Sequence, residues 1–398
     1  MRKILFCWEL GEDYGYLGKI LALTKQFSED PIHFFVVSKN LSATSKIEWP
    51  SNVKFIQAPI CLQANPLSLK ASSFAEILFY KGYDSHRHLR ILSDAWLTIF
   101  EAINPDVILF DYAPTALLAA SGLTTPKIII GNPYLTPPPG SSVINLTPGI
   151  GFDEHRANDI HQAVIRNINL VKREYLSPAI QAIGDLFTAD ATYLSGYSET
   201  DYFCDSRVNT TYCGAALSAS ISNRKPHWKP GLCKKSIAYL KHRDPRSKTI
   251  LKTLASLEAR TLCFYSGGKE DEIMEFSNSS LNVTNIPFDF TAASRDATAI
   301  ICHGGQGVVN NALSRGIPLI LVPTQAEQYY ITSKVIDWGI GIIINRNDSP
   351  IEIRNSLSSF FSTSKYSDNA KYYAETKFKI DSASVHQEIY NKIRSFIF

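Results

Sequence analysis

Apolar positions in the first half of the chain form short unbroken runs separated by stretches of helical spacing. Residues 4–8, 33–37, 53–56, 107–110, 127–130, 191–194 and 211–213 read as strands. A run that is apolar at every position, such as ILFCW at 4–8, marks a strand covered on both faces. Helical spacing predicts helices over 17–27, 88–103 and 113–120. A longer helical stretch over 155–187 should break at Ser177-Pro178, because a proline pushes the residue before it out of the helical region. Residues 60–90 read as a loop carrying Phe74, Phe79, Tyr80 and Tyr83. The alternation lapses over 218–235 (SASISNRKPHWKPGLCKK), where prolines, serines and lysines predict a linker. It then restarts, with strands at 236–240, 261–265, 281–286, 297–302, 318–322 and 340–344 and helices at 247–257, 308–314 and 325–336. Amphipathic helices over 350–363 and 367–396 finish the chain. Strands alternating with helices mean parallel sheets with helices on both faces. The expectation is an α/β protein of two doubly wound, Rossmann-like domains.

Composition narrows the function. A length of 398 residues suits two domains. With 45% hydrophobic and 19% charged residues, disorder is excluded. A net charge of +3 is too mild for a dedicated nucleic-acid binder. The seven cysteines are scattered and never spaced as CxxC, which argues against a zinc site or a disulfide framework and for a reducing interior. Only five apolar residues precede Glu9, fewer than a signal peptide needs, and no run is long enough to span a membrane. A cytoplasmic protein is expected. The first turn, GEDYGYLG at 11–18, is not the dinucleotide fingerprint GxGxxG, which disfavours an oxidoreductase.

The chemistry concentrates between 298 and 344. The strand ATAIIC runs into His303-Gly304-Gly305-Gln306-Gly307, and a helix opens at once. A glycine-rich turn lets backbone N–H groups approach an anion, and the helix N-terminus adds partial positive charge. In open parallel sheets, ligands sit beyond the carboxyl ends of the strands, where this loop lies. Downstream follow Gly316-Ile317-Pro318 up to Pro323, Glu327-Gln328, and Gly339-Ile340-Gly341. In order and spacing this resembles the donor-site signature of nucleotide-sugar glycosyltransferases of the GT-B fold, the UDP-glycosyltransferase family and its bacterial natural-product branch. Trp8-Glu9-Leu10-Gly11 and the 111–116 segment DYAPTA are similar to that branch as well.

The resemblance implies two facing domains with a cleft between them. Residues 1–217 would bind the acceptor, 218–235 would link, and 236–380 would bind the nucleotide sugar. A last helix, 381–398, would cross back to the first domain. His303 would contact the diphosphate, with Gly304, Gly305, Gln306 and Gly307 as backbone donors. Glu327 and Gln328 would hydrogen-bond the sugar hydroxyls. Ile286 and Phe288 would hold the base, and Ser266 lies among the donor residues. Two positions depart from the pattern. Val308 stands where Ser or Thr touches phosphate, and Asn311 stands where Glu grips the ribose; the latter suits a dTDP-sugar, which lacks the 2′ hydroxyl, while UDP stays open.

The implied reaction is metal-independent, inverting hexosyl transfer to a small natural-product or lipid-like acceptor, with no cofactor. It needs a base. Tyr16 stands at the position of the family's histidine, and tyrosine's pKa near 10 makes it a poor base. Asp111 stands at that of the orienting carboxylate. Asp13, Asp111, Glu12 and Glu9 are the candidates, beside a substrate-assisted route, and a catalytically silent site is a further alternative. The outcomes are then a transferase, a nucleotide-sugar-binding partner of an active transferase, or an epimerase of the same fold. Nine Lys/Arg over 223–248 against Asp244 leave peripheral membrane contact open; a homodimer is equally open.

Overall fold

In a computed structural model, residues 2–11, 14–45, 47–62, 71–147, 152–217, 220–228, 234–257 and 259–398 are described. The chain divides into two compact units, one of residues up to Cys213 together with Ala383–Phe398, the other Gly214–Ser382. The first holds β1 (Arg2–Trp8), β2 (Ile32–Ser38), β3 (Val53–Gln57), β4 (Val107–Asp111), β5 (Lys127–Gly131), β6 (Ala191–Leu194) and β7 (Thr211–Tyr212). All pairings are parallel, in the order β3-β2-β1-β4-β5-β6-β7. Ile4, Leu5, Phe6 and Cys7 of β1 are wholly buried, as are Val107, Ile108 and Leu109 beside them. Each Leu or Ile placed this way contributes on the order of 2 kcal/mol.

The second unit repeats the winding with β8 (Lys235–Lys241), β9 (Arg260–Ser266), β10 (Leu281–Thr284), β11 (Ala299–Cys302), β12 (Leu319–Leu321) and β13 (Gly341–Ile343). Its parallel order is β10-β9-β8-β11-β12-β13. Leu240, Leu251, Cys263, Ile301, Ile320 and Leu357 form its core. In both sheets the winding reverses beside the first strand, between β1 and β4 and between β8 and β11. These reversals are the points at which open α/β sheets receive ligands.

Four local expectations need correction. Residues 71–90 are not a loop: Ser73 caps a helix, Phe74–Leu78, that runs into a π-turn, Phe79–Tyr83. The S-x-x-E capping box of Ser73 and Glu76, which satisfies two N–H groups reciprocally, was present in the sequence. Phe74, Tyr83 and Trp96 are core residues. The 155–187 stretch is the helix Glu154–Glu174 followed by a loop and a short turn; Leu176, at φ +53°, ends the helical path before the proline. The final stretch is two helices, Lys365–Thr376 and Ser382–Ile397. Between them Phe378 is buried against Trp338 and Tyr373. The 220–228 part of the linker is fastened to the second unit: Asp289 N donates to Arg224 O, Ser222 Oγ to Pro287 O, and Asn282 Nδ2 to His227 O.

The helix Ser382–Ile397 belongs to the first unit. It buries Val385, Ile389, Ile393 and Ile397. Gln26 Nε2 donates to His386 O at 2.5 Å and Tyr390 OH to Asp30 at 2.9 Å.

Candidate active site

At the reversal of the second sheet, β11 ends at Cys302 and the chain turns through Gly304 at φ +82°. That left-handed conformation favours glycine. The turn lies against the helix Ala326–Asp337: a Cβ on Gly304 would sit 3.4 Å from Gln328 O and Thr332 Oγ1. Gly305 then caps the helix Gln306–Arg315 with no side-chain hydrogen bond, and the space where its Cβ would stand is open. The helix therefore presents first-turn N–H groups and its positive dipole end with no side chain of its own closing them.

Both ring nitrogens of His303, the residue before the turn, are engaged with backbone. Lys241 N donates to its Nε2 at 3.1 Å, and its Nδ1 donates to Val322 O at 2.8 Å. With both ring nitrogens on backbone and the residue 3% exposed, His303 fastens β8, β11 and β12 to one another. Burial lowers its pKa and keeps it neutral. Beneath it, Asp244 and Arg246 form a buried bidentate pair, and Arg246 also donates to Ile344 O, Val322 O and Pro323 O. Burial alone would raise Asp244; the bonds from Arg246 outweigh it and hold the carboxyl low.

Gln328 is buried beside the turn, its Oε1 accepting from Thr324 N and Thr324 Oγ1. Glu327 is half-buried in the first turn of the same helix. Gln306 is buried, while Gly307 and Val308 are half-buried. Asn311 is 6% exposed and its Oδ1 has no hydrogen-bond partner. Ser266 ends β9, its carbonyl accepting from His242 N. Ile286 is exposed, but Phe288 is buried at 7%, so its ring is packed within the unit and offers little face to a base.

The first unit is built differently at its reversal. Glu9, just after β1, is buried and accepts from Thr115 N at 2.8 Å, Thr115 Oγ1 at 2.6 Å and Ala116 N at 3.4 Å. It closes the start of the helix Pro114–Ala119. Tyr83 OH lies 3.0 Å from Thr115 Oγ1. Burial pushes Glu9 up to about 7 against the pull of these bonds. Asp111 is fully buried and paired with Lys19, Nζ to Oδ2 2.5 Å. The two form a closed, buried ion pair. Burial pushes its carboxyl up and Lys19 pulls it back. The Tyr16 ring is stacked on Trp8 at 5.1 Å and lies under Lys19 Nζ. Glu12 and Asp13 lie outside the described residues. Sequence reasoning missed the structural roles of Glu9 and Lys19; the signal for Lys19 was a cation in a helical turn otherwise flanked by Gly18, Ile20 and Leu21.

Two parallel sheets wound in this order give the chain the GT-B fold seen in antibiotic glycosyltransferases. The structure of CalG4, the calicheamicin glycosyltransferase, matches 99% of this chain and 98% of its own, with a TM-score of 0.67 at 14% identity. The glycosyltransferase VinC in complex with dTDP matches 94% of both chains, with a TM-score of 0.61 at 12% identity. Residues 248–393 match the family model of the erythromycin biosynthesis protein CIII-like C-terminal domain. A sterol 3-beta-glucosyltransferase of Komagataella phaffii is 29% identical over 113 residues, 27% of this chain but only 9% of that enzyme's length. No helix among the described residues is long and apolar enough to cross a membrane.

Proposed function

We propose that the protein is an inverting glycosyltransferase that moves a sugar from a UDP- or dTDP-sugar to a hydroxyl of a small natural-product or lipid-like acceptor, without metal or cofactor. The observation that carries this reading is the helix Gln306–Arg315, which starts at the sheet reversal with a glycine cap that makes no side-chain hydrogen bond. Backbone N–H groups aimed at a diphosphate are the contacts a departing nucleotide needs. Glu327 and the NH2 end of Gln328 would hold sugar hydroxyls, since the Gln328 oxygen is committed to Thr324. Asn311, with its unpartnered oxygen, faces the ribose in this reading. The VinC complex with dTDP supports a thymidine nucleotide.

In the reaction the acceptor oxygen attacks the anomeric carbon, and its proton passes to a base. The bond from that carbon to the β-phosphate oxygen breaks, its electron pair leaving on the nucleoside diphosphate. Asp13 is the base in this reading, because Asp111 is closed by Lys19. Replacing Asp13 by Ala should lower turnover about 10²- to 10⁴-fold while nucleoside diphosphate binding persists; unchanged turnover in assays of a UDP- and dTDP-sugar panel eliminates Asp13. The closed Asp111–Lys19 pair also favours a second reading, a nucleotide-sugar-binding partner of an active transferase. Transfer by the purified chain alone, unchanged by EDTA, excludes it.

A further inference from the structure

With both ring nitrogens on backbone, His303 gives no side-chain donor to the diphosphate space, yet a departing diphosphate gains from one. The neighbouring strand supplies a candidate. His242 follows β8, the middle strand of β9-β8-β11, so it emerges between two glycine turns. On one side its N–H donates to Ser266 O at 2.9 Å, and a Cβ on Gly267 would lie 3.7 Å from its own. On the other, Lys241 N is bonded to His303, directly before Gly304-Gly305. The β8–β11 register pairs Ile301 with Ala238, so His242 and the Gly304-Gly305 turn both lie just past the paired ends of these adjacent strands.

The imidazole is aimed by its surroundings. Nδ1 lies 2.8 Å from Glu272 Oε2, while Lys248 Nζ holds Oε1 at 2.9 Å. Glu272 is itself fixed by Lys269 N, 3.3 Å from Oε2. Tyr265 OH stands 3.3 Å from Nδ1. Donation of Nδ1–H to Glu272 leaves Nε2 as the nitrogen available to a ligand, on a side chain 34% exposed. A carboxylate on one nitrogen fixes the tautomer and the ring orientation. We infer that His242 donates from Nε2 to the diphosphate of the nucleotide sugar, with Glu272 as the residue that positions it. The inference rests on the proposed function and deepens it, moving the side-chain donor from the HGGQG turn to the loop after β8.

The test is calorimetric binding of UDP and dTDP, against uridine and thymidine, by the full chain and three variants. Loss of one charge-assisted contact should weaken diphosphate binding about ten-fold or more in His242→Ala, with nucleoside binding unchanged. Glu272→Gln should show a smaller loss of the same kind, and His242→Arg should recover part of it. Thermal melts report folding of each variant. Equal diphosphate affinity in wild type and His242→Ala overturns the assignment while leaving the proposed function standing. So does an equal loss for diphosphate and nucleoside. A wild-type chain that binds neither diphosphate removes the proposed function and this inference together.

Discussion

Each sheet reverses beside its first strand, and at each reversal a helix begins with N–H groups that its own backbone cannot satisfy. In the first unit the chain answers from within: the Glu9 carboxylate sits on Thr115 and Ala116 at the head of Pro114–Ala119. In the second unit Gly305 heads Gln306–Arg315 and brings no side chain. The winding is the same and the occupancy is opposite. Fold alone therefore does not say which unit takes an anion. The difference between a glutamate and a glycine does, because an internal carboxylate repels and displaces an external phosphate. The same contrast extends one layer down. Asp111 in the first unit is neutralised by Lys19, and Asp244 in the second by Arg246, so both floors are internally compensated. Only the glycine turn is left without a charged side chain of its own.

The comparison breaks most visibly at the first floor. Lys19→Met should cost about 3–5 kcal/mol of stability, since it leaves Asp111 buried and unpaired. Lys19→Met with Asp111→Leu should recover most of that loss; a double variant as unstable as the single one would mean that Lys19 acts through packing instead. Denaturant titration reads both.

A second break concerns acid. The Glu9 carboxyl is raised from 4.5 to about 7, so the folded state binds its proton more tightly than the unfolded chain does. Its favourable contribution is complete below about pH 4.5 and lost as pH rises to about 7, on the order of 3 kcal/mol. Glu9→Gln should flatten this part of the stability–pH curve between pH 5 and 7. A curve with the wild-type slope in that variant would show that Glu9 is not its source.

The smallest change makes the second reversal imitate the first. Gly305→Asp places a carboxylate at the helix cap, where the backbone at φ −63° and the open space accept it. Stability should rise by roughly a few tenths of a kcal/mol, while affinity for UDP and dTDP falls about 10- to 100-fold. A variant that keeps its nucleotide affinity would place the diphosphate elsewhere.

The strands were legible because buried parallel strands carry unbroken apolar runs, as in ILFCW at β1 and AIIC at β11. Breaks were less so. The short helix at Phe74–Leu78 announced itself only by its Ser73–Glu76 box, and the interruption at Phe378 follows from burial against Trp338, a partner forty residues away in sequence. The HGGQG turn and the Glu-Gln pair stood out by residue type, and the structure sets Gly304 against Gln328. What Phe288 does could not be read from its type: an aromatic beside a strand end can face a ligand or the core, and here it is buried.

By itself the sequence determined the two rounds of strand and helix and the glycine turn, because periodicity and backbone freedom are local properties. Tertiary structure decided which polar groups are spent. That His303 holds backbone on both nitrogens, that Asp111 is locked to Lys19, and that Glu9 closes the head of one helix, all depend on chain segments brought together from 19 to 107 residues apart. A hydrogen bond or an ion pair is fixed by distance and burial, and neither quantity is written in the order of the residues.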